Sequence, residues 1–144
     1  MRILLAGLLC SAVAAGGDRS PWDSLRDAAN TYIAAHADAP SGAAWEKKFA
    51  VKVESRSEAT KLGRDEAAQS IVLDWMNDHE KPLREKQPAA ILEACRIFCW
   101  LHARKLELPG VIRTELEKEN RMQKFSEYLI AQAAVAVADK KQVN

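Results

Sequence analysis

The sequence predicts an all-α fold, a single-domain bundle of four to five helices over residues 18–144, preceded by a signal peptide at residues 1–17. Three observations carry this prediction. Hydrophobic residues make up 48% of the chain, yet only six Gly and five Pro interrupt them, which favours long unbroken elements. The β-branched clusters that mark an all-β protein are missing. Apolar residues recur instead at three- and four-residue spacing in successive stretches, the period of helices with one buried face. A length of 144 residues suits a single core.

The chain begins with Arg2 and an uncharged run, ILLAGLLCSAVAAGG, at residues 3–17. The apolar part is shorter than the ~20 residues that span a bilayer, and it ends in small residues around Ala12-Val13-Ala14. That pattern predicts a secretory signal cleaved after Ala14 or Ala15, and hence a periplasmic or secreted protein with no membrane span in its mature part. Cleavage would remove Cys10 and leave Cys95 and Cys99 in an oxidising compartment. One helical turn separates β-carbons by about 5–6 Å, whereas a disulfide prefers about 3.5–4.5 Å. Two buried thiols are therefore expected rather than an intrahelical bridge, and a disulfide between two copies stays open.

Ser20-Pro21-Trp22-Asp23 is a helix start, with Ser as N-cap, Pro at the first helical position and an acid in the first turn. Trp22, Leu25, Ala29, Tyr32, Ile33 and His36 follow as a stripe, and Asp38 to Gly42 is expected to end the helix in a turn. Over residues 43–56, Trp45, Phe49 and Val53 repeat every four residues, while Phe49, Val51 and Val53 also alternate. A lone strand would lack a partner, so a helix is expected there. Ser55-Arg56-Ser57-Glu58 has capping-box spacing and could restart it, with Gly63 as a stop. Arg64 or Asp65 opens a helix whose inner face is Ala68, Ile71, Val72, Trp75 and Met76, ending at Asn77-Asp78-His79. The next stretch, HEKPLREKQP at residues 79–88, is dense in charge and holds two prolines. It is expected to be an exposed segment. Pro88 then starts the central helix, which runs toward Leu106. Leu108-Pro109-Gly110 breaks the chain, and Thr114-Glu115-Leu116-Glu117 has capping-box spacing near the start of a last helix. Met122, Phe125, Leu129, Ala133 and Ala136 form the inner stripe of that helix. Its residues 128–138 carry no charge, which suits burial in the bundle or in an interface between copies. The tail DKKQVN is expected to fray.

The residues with the most chemistry lie on the central helix. Ile91, Leu92, Cys95, Phe98, Cys99, His102 and Leu106 project into one arc about a third of the circumference wide. Cys95, Cys99 and His102 are all metal-ligand types, but Cys95 and His102 are about 10.5 Å apart along the axis at about 1.5 Å per residue. One ion could not comfortably take all three, and no CxxC or HExxH motif accompanies them. Packing is the first expectation, and a metal-responsive or thiol-redox role the alternative. Cysteine–histidine catalysis would need a substrate-facing oxyanion site as well as a base, and carboxylates sit in helical ion-pair spacing with lysines and arginines. No glycine-rich phosphate loop is present, no cofactor is expected, and the reading is a non-enzymatic protein. Lys and Arg total 21 against 20 Asp and Glu, and Arg2 is the only charge before Asp18, so residues 18–144 are balanced. That disfavours nucleic-acid binding.

Tyr32-Ile33-Ala34-Ala35 followed by Asp38-Ala39, the run Ile71-Val72-Leu73-Asp74-Trp75-Met76-Asn77-Asp78-His79-Glu80, and Gln87-Pro88-Ala89-Ala90-Ile91-Leu92 with Ala94 and Phe98-Cys99 form a pattern. It resembles the Tai family of periplasmic immunity proteins that neutralise peptidoglycan amidase effectors of type VI secretion. The resemblance covers about a third of the chain, and the helix from Val111 to Ala138 lies past the point where that family normally ends. It implies a periplasmic dimer that blocks an amidase cleft. The partner-binding candidates are Asp78, His79, Glu80, Lys81, Arg84 and Glu85 in the charged segment. The expectation is therefore an exported helical protein that binds and neutralises another protein. A structural or assembly factor that oligomerises through its C-terminal helix is a further alternative.

Overall fold

The computed structural model describes residues 20–37 and 39–143. The expected signal peptide at residues 1–17, together with Asp38 and Asn144, lies outside the described residues. Among the described residues, six helices of eight residues or more, one five-residue helix and one 3-10 turn make up the fold, with no strand. The all-α bundle is borne out, with one helix more than the four to five expected. No described helix is long and apolar enough to cross a membrane.

Helix α1 (Pro21–His36) starts as the sequence predicts, with the Ser20 hydroxyl accepting from the Asp23 amide at 3.1 Å. Its inner residues Leu25, Ala28, Ala29 and Tyr32 are buried. The turn expected from Asp38 to Gly42 gives way to α2 (Ala39–Thr60), which already begins there. Pro40 occupies the first turn of α2, where a missing N–H costs nothing. The whole of residues 43–56 is helical, and Ser55-Arg56-Ser57-Glu58 does not restart the helix. The Ser57 hydroxyl donates instead to the Leu62 carbonyl at 2.7 Å, beyond the helix end. Gly63 is the N-cap residue of α3 (Arg64–Asp78) rather than the stop of α2, whose exit runs through Lys61 at φ 63°. Arg56 joins the two helices through Asp74 at 3.0 Å and Ser70 at 2.7 Å.

The charged segment is not a plain loop. Glu80–Arg84 forms a one-turn helix, α4, on which Leu83 packs against the core. Helix α5 (Pro88–Ala103) ends three residues short of Leu106. The Leu106 amide donates to the Leu101 carbonyl and the Lys105 amide to the His102 carbonyl. This pair is the Schellman closure, with Lys105 at φ 59° where glycine is usual. The Gln87 and Lys86 amides close α4 in the same way onto Pro82 and Leu83, with Lys86 at φ 56°.

The last helix is also divided. Thr114-Glu115-Leu116-Glu117 lies inside α6 (Gly110–Glu117), a 3-10 turn follows, and α7 (Arg121–Val143) starts only after Glu119 and Asn120 adopt φ 53° and 56°. The expected frayed tail continues α7 to Val143, with the Lys140 ammonium donating to the Ala35 carbonyl at 2.7 Å.

Helix α5 is the centre of the core, and it is buried on more than the predicted arc. Ala90, Ile97, Trp100 and Leu101 are buried along with Ile91, Cys95 and Phe98. On one side lie α1 and α7, through Trp22 against Phe98 (5.9 Å between ring centroids) and Phe98 against Phe125 (6.2 Å). On the other side Phe49 of α2 meets Trp100 edge-on at 4.9 Å. Two polar contacts lie on that side, where the Trp45 indole donates to Glu93 at 3.2 Å and Arg96 donates to the Ser41 hydroxyl at 2.7 Å, while the buried Trp100 indole N–H has no hydrogen-bond partner among the described residues.

A β-carbon in the left-handed region costs roughly 1–2 kcal/mol relative to glycine's freedom there, partly offset by glycine's greater loss of entropy on folding. Lys105→Gly should accordingly raise stability by about 0.5–1 kcal/mol. Urea unfolding would show this as a higher midpoint with an unchanged slope, and a lower midpoint would contradict the assigned closure.

Candidate functional site

Cys95, Cys99 and His102 share α5 but are held apart by different partners. Cys95 is fully buried, and burial pushes its thiol far above the ordinary range. Cys99 is half-buried, with its thiol pushed up to about 11 by burial, and it donates to the Asn30 side-chain oxygen at 3.2 Å. Both thiols are free. His102 turns toward α1, where Nε2 meets Asp23 Oδ1 at 2.7 Å and Nδ1 lies 3.4 Å from Arg26 Nη1. A guanidinium can only donate, so Nδ1 is the acceptor and Nε2–H donates to the carboxylate. Among the described residues, no group of three His, Cys, Asp or Glu side chains is placed to hold a metal ion. The cluster as built ties α5 to α1.

The other two histidines are helix-terminal. His36 stacks on Tyr32 at 3.9 Å and His79 on Trp75 at 4.2 Å, and each ring Nδ1 bonds the carbonyl of the residue it stacks on. His79 thus closes α3. Asp78, Lys81 and Glu85 of the charged segment are exposed.

Glu80 and Arg84 stand at the edge of a cleft of about 610 Å³ enclosed by α3, α4, α5, α6 and α7. Its floor is Ala94 and Phe98 of α5, and its walls include Met76, Leu83, Leu116, Phe125 and Tyr128. The local geometry is set by the left-handed residues. Lys86, in the Schellman position after α4, carries its ammonium over the Tyr128 ring at 5.5 Å from the centroid. The break at Glu119 and Asn120 turns α7 back on α6, so that Arg121 reaches Glu115 at 3.2 Å.

The rim therefore carries Arg84, Lys86, Arg121 and Lys124 against Glu80 and Glu115. Both carboxylates are already paired, Glu80 with Arg84 at 3.6 Å and Glu115 with Arg121 and with Lys118 at 2.8 Å. Among the described residues, Lys86 and Lys124 enter no ion pair. A hollow of this size with apolar walls and unneutralised cations at its edge can receive an apolar group that carries negative charge. Sequence reasoning finds Glu80 and Arg84 but misses Lys86, Lys124 and Tyr128. It assigns Phe125 only to the inner stripe of the last helix, and nothing local in the sequence joins residues 83–86 to residues 121–128.

Two outcomes are expected from the thiol and histidine geometry. With Cys99 titrating near 11, only about one thiol in a thousand is ionised at pH 8. Iodoacetamide should label the native protein slowly at Cys99 and still more slowly at Cys95, and both rapidly in denaturant; fast native labelling would contradict the burial. The hydrogen bond from His102, and then that from Ser20, hold the Asp23 carboxyl below its ordinary value. A depressed carboxyl contributes stability that is complete above its unfolded value and lost as pH falls through the folded one. Asp23→Asn should thus lower the melting temperature at pH 6, with the gap to wild type closing below about pH 4. A gap independent of pH would assign the loss to some other cause.

No family model, no curated protein and no solved structure matches this chain.

Proposed function

We propose that the protein acts by binding another protein, without catalysis of its own, and that the cleft beside the charged segment receives an acidic amphipathic segment of that partner. The cationic rim around apolar walls is the observation that carries this reading. Leu83, Leu116, Phe125 and Tyr128 offer contact to the apolar side chains that a helix presents at i, i+4 and i+7. Lys86 and Lys124 offer charge to carboxylates beside them, which fixes orientation and speeds encounter more than it deepens affinity.

The resemblance to the Tai immunity family gives the reading its concrete form. The partner would be a peptidoglycan amidase effector, the effect would be inhibition, and the place of action would be the periplasm or outside the cell. Of the charged-segment candidates, Glu80 and Arg84 line the cleft, whereas Asp78, His79, Lys81 and Glu85 do not.

A fluorescently labelled helical peptide with leucines at i, i+4 and i+7 and flanking glutamates tests the cleft. Reversing both free cations, Lys86→Glu with Lys124→Glu, should weaken its binding about tenfold or more, and salt should weaken wild-type binding. Lys81→Glu is the control and should change little. Equal affinity in the double variant and wild type would remove the cleft from the proposal. Hydrolysis of peptidoglycan amide bonds by a type VI amidase effector, with and without the protein, tests the inhibitory role separately. Undiminished hydrolysis at saturating protein would end that role.

A further inference from the structure

Helix α6 has empty space on both flanks. One flank faces the cleft, through Val111, Ile112 and Glu115. The other faces a second cavity of about 440 Å³, to which α6 contributes Arg113 and Glu117, α1 contributes Trp22 and α7 contributes Met122. Leu116 lines both. At about 100° per residue the cleft residues of α6 fill one arc and those of the second cavity the next, with Leu116 at the border between them. Its side chain is the partition.

Little holds α6 in place. None of its eight residues is buried, and Ile112 and Leu116 pack against the core while partly exposed. A segment with so few buried contacts opens at low free-energy cost. The chain on either side is better fixed. Leu108 and Pro109 are buried, the Gln69 amide donates to the Glu107 carbonyl at 2.5 Å, and Met122 anchors the start of α7. Between these anchors and α6 stand Gly110 at one end and the left-handed Glu119 and Asn120 at the other, positions of the kind that absorb a hinge rotation. A β-carbon on Gly110 would meet nothing within 4 Å, so packing does not demand glycine there, and backbone freedom is what it adds. Exposed ion pairs span the two ends, Arg113 with Glu107 and Glu115 with Arg121, and pairs so exposed contribute little.

We infer that α6 is a lid with two seats: the one described above, and a second in which Leu116 enters the second cavity and the cleft widens. Leu116 exchanges one apolar surrounding for another, Phe125 of the cleft wall for Trp22 and Met122, which keeps the two seats close in free energy. Arg113 and Glu107 both line the second cavity, and their pairing opposes the shift. That the lid controls admission of an acidic helix rests on the reading of the cleft given above. The motion itself does not.

The chain has two tyrosines and four tryptophans. Tyr128 lines the cleft and Trp22 the second cavity, whereas Tyr32 is buried in the core. Fluorine relaxation dispersion on protein labelled with 3-fluorotyrosine and 5-fluorotryptophan, without ligand, should show microsecond-to-millisecond exchange at Tyr128 and Trp22 with one shared rate, and none at Tyr32. Arg113→Ala and Glu107→Ala should each raise the minor population about two- to fivefold. Gly110→Pro, which fixes one hinge, should reduce the exchange. Circular dichroism checks that each variant is folded. Absence of exchange at either probe, unequal rates, or a population unmoved by both alanine variants would overturn the lid. Stopped-flow association of the acidic helical peptide tests the gate: both alanine variants should speed association by the factor seen in the population, although they change charge in opposite directions. Unchanged association with the exchange present would overturn gating. A peptide that binds no variant while the shared exchange persists would remove the proposed occupant and leave the lid standing.

Discussion

Helix α5 has to be covered on nearly every side, and the rest of the bundle is arranged by that requirement. Ile91, Cys95, Phe98 and Leu101 define one buried stripe, and Ile97 and Trp100 extend burial well around the helix. A single partner helix covers about a third of a circumference, so one neighbour could not suffice. Helices α1 and α7 close one side and α2 the other, where the long polar α2 contributes Phe49 and Val53 as its buried contacts. Complete removal of a side chain such as Leu101 or Ile91 from water stabilises by about 1.5–3 kcal/mol. Burial on two sides explains why the thiols behave as packing groups. Cys95 sits where a small apolar side chain fits, and Cys99 finds a hydrogen-bond acceptor on α1.

The cleft arises where this covering is incomplete. Long helices shield most of α5, but part of the wall over Ala94 and Phe98 is made by the five-residue α4 and the eight-residue α6. Neither is long enough to seal the floor. Their short lengths are set by backbone reversals at Lys86 and at Glu119-Asn120, all in the left-handed region. Those reversals also position Lys86 and Arg121 at the rim. The turns that leave the core open are thus the same turns that deliver its cationic edge, and Leu83 pins the intervening charged segment to the bundle.

How much of this is legible in the sequence depends on whether the cause is local. The Ser20-Pro21 start of α1, the Pro88 start of α5 and the inner stripe of α7 are written in residue type and period, and the structure has them there. The divisions of the chain after Arg84 and after Glu117 are not written that way. A reversal is usually signalled by glycine, and here lysine, glutamate and asparagine take the left-handed positions, so the short α4 reads as loop and α6 merges with α7. Pro40 misleads in the other direction: it suggests a turn but occupies a first helical turn. The second buried side of α5 is hidden because Trp100 and Ile97 fall outside the single arc drawn for a one-faced helix. The cleft itself is tertiary, and only Glu80 and Arg84 could be anticipated from the exposed, charged character of their stretch.

The uncharged run at residues 128–138 invites two explanations, burial in the bundle or contact between copies, and both have residues to account for. Leu129 and Ala133 satisfy the first. Ile130 and Val137, about half exposed, border that buried stripe on α7 and mark its edge. The exposed far side of the run carries only alanines and Val135, so its lack of charge is not explained by burial.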